Sequence, residues 1–97
     1  MAINYGFEKY SNAFRALQAK GGWQSRLQKA LTLIVPVSPK DIPPALQERH
    51  AAIKAAGGEG QIQATMSQMN ETEGLRLIDQ IEAMYSDLKA AAKHPPQ

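Results

Sequence analysis

The apolar positions of this chain fall into five stretches, each with the three-and-four spacing that puts side chains on one face of a helix. Phe7, Tyr10, Phe14 and Leu17 mark the first, over about 4–19. Gly6 weakens its first turn. Gly21 and Gly22 follow its last periodic residue, where only glycine adopts a left-handed cap cheaply. The second helix spans about 22–34, with Trp23, Leu27, Ala30, Leu31 and Ile34 on its apolar face. Ser25, Arg26, Gln28, Lys29 and Thr32 lie largely on the other side. Pro36 ends it by disfavouring helical geometry at Val35. The strand propensity of residues 31–37 has no second strand to pair with.

Residues 38–43 read as a loop into a third helix. Asp41 or Ile42 stands at its start, and Pro43 and Pro44 suit a first turn, where a missing N–H is harmless. Ile42, Leu46, His50 or Arg49, and Ile53 share its face, and Gly57–Gly58 stop it. Alanines at 45, 51, 52, 55 and 56 favour this helix and allow close packing. Ile62, Met66 and Met69 form a short fourth helix. Asn70 and Glu73 then have the spacing of a capping box, which breaks the fourth helix from the fifth. The fifth carries the longest apolar stripe: Leu77, Ile78, Ile81, Met84, Tyr85 and Leu88. Acids cluster in its first turn, and Lys89 and Lys93 near its end, as the helix dipole favours. The pattern predicts an all-α bundle of four to five short helices, one domain over 1–92, with a frayed tail over 93–97.

Composition adds limits. A 97-residue chain with 43% hydrophobic and 21% charged residues is of globular type. At this length folding buries only roughly 60–65% of the chain's surface, so a partner or a second copy would add stability. There is no cysteine, hence no disulfide and no thiolate nucleophile or ligand. The longest apolar run, 30–35, is far short of the roughly 20 residues of a spanning helix. The first ten residues lack the basic-then-apolar order of a signal peptide. A cytoplasmic protein is expected.

Charge is distributed unevenly. The net charge is +2, but residues 1–40 hold six cations against Glu8, or +5, and residues 41–97 hold five cations against eight acids, or −3. Arg15, Lys20, Trp23, Arg26 and Lys29 surround a tight Gly-Gly turn and form the candidate partner-binding set. Cations beside an aromatic ring suit an acidic protein surface or a phosphate backbone. Either Trp23 serves that surface or it belongs to the core. The second helix lacks the dense polar outer face of a major-groove reader.

Other candidates reduce to structure. Gly57–Met66, with three glycines before a helix, invites a phosphate-cradle reading. Gln61-Ile62 stands where a Walker loop needs Lys-Ser/Thr, no strand precedes, and Glu59 would repel an anion, so a hinge is expected. His50 has no ligand or triad spacing around it and reads as a half-buried packing or hydrogen-bonding residue. Asp79, Glu82 and Asp87 read as a solvated face, and Met66, Met69 and Met84 as core filling. No catalytic, cofactor or metal site is expected.

The run GEGQIQATMSQMNETE, 58–73, resembles a pattern in small uncharacterised bacterial and phage-type helical proteins. Its elements are a Gly-Glu-Gly lead, an Ala-Thr pair, a methionine, and a capped last helix ending near MYSDL. The likeness covers roughly the last 35 residues and implies no activity or site. It suggests a phage or mobile-element accessory protein. The expected function is a non-catalytic protein-interaction module or inhibitor whose partner offers an acidic surface. A nucleic-acid-associated regulator using the basic half is the alternative. Self-association is compatible with either, and no membrane is expected.

Overall fold

Tyr85 lies between two aromatic rings of the first helix. The ring centroids stand 5.9 Å from Phe7 and 4.7 Å from Phe14, with interplanar angles of 7° and 20°. Phe7 and Phe14 are two helical turns apart on one face, so both reach the same neighbour. This stack joins α1 (Ala2–Leu17) to α5 (Glu71–Lys93). The computed structural model describes residues 2–93. Between those helices run α2 (Trp23–Ile34), α3 (Gln47–Ala56) and α4 (Ile62–Gln68). The protein is an all-α bundle, with no strand among the described residues. The expected frayed tail lies, from residue 94 on, outside the described residues.

α1 and α2 form a helical hairpin, and α5 packs across both. α4 rests on α2, and α3 on α5. The core follows the predicted stripes. Tyr10 and Leu17 meet Leu27, Leu31 and Ile34, and α5 contributes Leu77, Ile78, Ile81, Met84 and Leu88. Ala13 and Ala30 are also fully buried, so the hairpin is tightened by small side chains as well as large ones. No helix of the described residues is long and apolar enough to cross a membrane.

Three local features depart from the sequence pattern. α1 ends at Leu17 rather than near 19, because the amides of Gln18 and Ala19 reach back only three residues, to Arg15 (3.1 Å) and Ala16 (3.3 Å). Such bonds tighten the last turn into 3-10 geometry. Gly6 is not a weak point in α1. It is buried, and a Cβ there would run into the Asp41 carbonyl, so glycine lets the 35–43 segment lie directly on α1. That segment is more than a loop. The Ser38 N–H donates to the Asp41 carboxylate at 3.2 Å, and the Asp41 N–H to the Ser38 carbonyl at 2.9 Å, closing a 3-10 turn over Pro39–Asp41. Pro44 opens a second 3-10 turn, Pro44–Leu46, so α3 begins only at Gln47.

The capping box of α5 forms as its residues require. The Asn70 N–H donates to Glu73 Oε1 at 3.0 Å, and the Glu73 N–H to Asn70 Oδ1 at 2.8 Å. One turn further, Gly74 is buried under the ring of Trp23, the first residue of α2. A Cβ at 74 would overlap Cζ3 and Cε3 of the indole. Alanine in place of glycine favours a helix by about 1 kcal/mol, whereas overpacking against a rigid ring costs about 1–3 kcal/mol. Gly74→Ala is therefore expected to lower stability, by up to about 2 kcal/mol, and to shift the emission of the sole tryptophan. Chemical denaturation followed by fluorescence checks both. A more stable Gly74→Ala variant would show that the ring does not depend on this contact.

Candidate functional site

The five candidate partner-binding residues divide into two groups. Arg15 is exposed on α1, Lys20 is exposed in the connecting turn, and Lys29 is exposed on α2. Their charged ends face solvent. Trp23 and Arg26 are half-buried and serve the fold. Trp23 packs against the core and covers Gly74. The Arg26 guanidinium turns back over the end of α1, where Nη1 donates to the Leu17 carbonyl at 2.7 Å and Nε to the Gly21 carbonyl at 3.1 Å. The last carbonyls of a helix have no partner within it, and a cation there also meets the negative end of the helix dipole. Arg26 is thus a C-terminal cap delivered from the next helix. Lys9 joins the exposed set in part: its ammonium lies 5.5 Å from the centre of the Tyr5 ring.

The acids of α5 do not converge on one another. Glu82 accepts from Gln18 of α1 at 2.9 Å, and Asp87 pairs with Arg49 of α3. Five residues at about 100° each place these two carboxylates on different sides of the helix. They brace α5 against two different neighbours.

The glycine-rich run is a helix stop whose amides are already engaged. The Glu59 N–H donates to the Lys54 carbonyl and the Gly58 N–H to the Ala55 carbonyl, both at 3.1 Å. This is the paired pattern of a Schellman turn, with Gly58 left-handed at φ 81°. The Gly57 N–H reaches the Ile53 carbonyl at 3.0 Å and the Gln61 N–H the Gly58 carbonyl at 2.7 Å. An anion cradle needs free amides, and four of those over 57–61 are committed within the chain. Gly57 is required for a different reason: its φ of −82° is ordinary, but a Cβ would come within 2.6 Å of Leu31 Cδ2. Glu59 also has positive φ, at 47°.

His50 is fully buried, deeper than its place in the sequence pattern implies. Tyr10 Oη lies 2.6 Å from Nδ1 and the Val37 carbonyl 2.8 Å from Nε2. A carbonyl only accepts, so Nε2 carries the proton, and the Tyr10 hydroxyl donates to Nδ1. Lys54 Nζ also reaches the Val37 carbonyl, at 3.3 Å. Burial pushes the His50 pKa below its ordinary value. The Val37 bond opposes that, Lys54 adds to it, and Asp41 opposes it. Burial likewise raises the Tyr10 pKa well above the ordinary phenol value, against a smaller lowering effect of Arg49. Both imidazole nitrogens are occupied, so the ring ties α1, the 35–38 segment and α3 together. The signal missing from the sequence pattern is the pairing itself, since Tyr10 and His50 are 40 residues apart.

No family model matches this chain, and comparison with curated proteins and with solved structures finds no match in either.

Two predictions follow from these geometries. Gly58→Ala is expected to cost about 1–2 kcal/mol, the penalty of a left-handed non-glycine residue, with Thr65 crowded in addition. Glu59→Ala, at an exposed site, should stay within about 0.5 kcal/mol of the parent. Equal losses for the two in urea titrations would contradict the Schellman assignment.

The second concerns pH. A histidine whose folded pKa is depressed leaves the unfolded chain holding more protons, so stability is full above about pH 6.5 and falls as pH drops below it. The raised Tyr10 value works at the other end, with stability full below about pH 10 and lost above it. Unfolding free energy measured across this range should show a plateau between those limits. Tyr10→Phe leaves Nδ1 without its donor and should cost about 1–3 kcal/mol on the plateau. A free energy that does not change from pH 7 to pH 5 would count against the His50 linkage.

Proposed function

We propose that this protein is a non-catalytic interaction module of the cytoplasm that docks on the acidic surface of a protein partner through its α1–α2 hairpin. The observation that carries the reading is the exposure of Arg15, Lys20 and Lys29 on a hairpin whose sequence holds Glu8 as its sole acid. The only ion pair among the described residues, Arg49–Asp87, lies between α3 and α5. The hairpin cations are therefore available to a partner, and clustered charge of one sign raises encounter rates over a Debye length of about 8–10 Å. The engagement of both His50 nitrogens inside the fold supports a role without acid–base chemistry. A small module of this kind acts by covering a partner's surface. That suits an inhibitor, or an accessory protein of a phage or mobile element.

Charge reversal tests the reading. Arg15→Glu with Lys29→Glu should leave circular dichroism unchanged, because neither side chain is buried. In nuclease-treated lysate the parent should capture a protein that the double variant loses, with the difference fading as salt rises. Equal capture by both would remove the basic hairpin from the interface. A partner held only while nucleic acid is present would transfer the surface to a phosphate backbone.

A further inference from the structure

A groove of about 500 Å³ lies along the hairpin, lined by Ala16 of α1 and by Ser25, Gln28, Lys29, Thr32 and Leu33 of α2. On α2 these positions follow a second helical stripe, separate from the buried one of Leu27, Ala30, Leu31 and Ile34. The second stripe reads as polar in sequence but is largely apolar in its surfaces. Thr32 donates its hydroxyl to the Gln28 carbonyl at 2.8 Å, so what it offers outward is hydrocarbon. Ala16 and Leu33 are half-buried and still reachable. Lys29 and Gln28 contribute methylene stems that end in polar heads. From Ser25 to Leu33 the stripe extends about 12 Å, the length of roughly two helical turns.

Charge selects the occupant. Lys29 lines the groove. Lys9 lies two turns before Ala16 on the same face of α1, and Lys20 sits in the turn at the groove's other end. No acid lines it. Another groove, about 420 Å³ near α4 and α5, is lined by both Glu73 and Arg76 and selects neither sign. We infer that the α1–α2 groove receives an acidic amphipathic helix of a partner protein, its apolar side against Ala16, Thr32 and Leu33 and its carboxylates toward Lys9, Lys20 and Lys29. This rests on the interaction-module reading above and adds the shape of the ligand. A phosphate backbone would meet the lysines but has no apolar stripe to lay between them, whereas a helix with anchors at i, i+3 and i+7 has one.

The probe is a labelled helical peptide of about 12 residues, long enough to outreach the groove, with leucines on one face and glutamates elsewhere. Two comparators are a scrambled peptide of the same composition and a single-stranded oligonucleotide. Fluorescence anisotropy is expected to show the amphipathic peptide binding at least about tenfold more tightly than the scrambled one. Amide chemical shifts should move at Ala16, Ser25, Lys29, Thr32 and Leu33. Thr32→Phe fills the groove from an exposed position and should abolish that preference with circular dichroism unchanged. Ser25→Phe is a second such variant at the other end. Equal binding of the two peptides, both weakened by Arg15→Glu with Lys29→Glu, would overturn the helix inference and leave the charge reading intact. Binding of the oligonucleotide in preference to both peptides would overturn the protein class of ligand. Silence from all three probes would overturn the inference and the basic-surface reading together.

Discussion

The bundle depends on one buried imidazole. A chain of 97 residues has a small core, and its longest non-helical stretch, residues 35–46 with their two 3-10 turns, must be fastened to it. His50 does this by accepting from Tyr10 and donating to Val37, joining α1, the connector and α3 at one point without exposure to water. A buried polar group is tolerable only when its partners are complete. Among the described residues no buried side-chain nitrogen or oxygen lacks one. Gly6 makes the arrangement possible from the other side, since the Asp41 carbonyl occupies the space a side chain would need. The connector is thus clamped between a glycine on α1 and a histidine on α3.

What was legible in the sequence is what is local. The start of α5 is set by residues three apart, Asn70 and Glu73, and its stripe by apolar positions within a few turns of one another. Periodicity and capping act over that range, so both were readable. The stop of α3 is local too, although Gly57 and Gly58 meet different requirements there: close approach of Leu31 for one, a left-handed backbone for the other. What was not legible is contact across the chain. Gly6 looked like a weak first turn because its partner, the Asp41 carbonyl, is 35 residues away. The depth of His50 depended on Tyr10, which nothing nearby in sequence announces. The Ser38–Asp41 turn is an exception, since its spacing was on view and its prolines drew attention to loop rather than to structure.

The candidate surface shows the same division, and with more consequence. Five residues gathered around a Gly-Gly turn look alike in a linear sequence, and all five suit an interface, where Trp and Arg are common anchors. Folding separates them by how many of their bonding groups it uses. The Arg26 guanidinium donates to the Leu17 carbonyl at the end of α1 and to the Gly21 carbonyl in the turn after it, and Trp23 fills the space that Gly74 vacates. Arg15, Lys20 and Lys29 remain outside. The positive charge of the first forty residues therefore divides between a cation bound into the end of α1 and cations left exposed, a difference that a tally of charges cannot show.

The inward-facing and the exposed members are mechanically linked. Arg26 holds the turn that carries Lys20, and it is seated one helical turn before Lys29 on α2. Trp23 fixes the first turn of α2 against α5, which sets where the row from Ser25 to Leu33 points. A surface made of long, flexible cations gains precision only if the backbone beneath it is rigid, because ordering each side chain on binding already costs about 0.5–1.5 kcal/mol. The two inward-facing members of the set supply that rigidity. Their removal would loosen the frame on which the three exposed cations and the groove beside Lys29 are held.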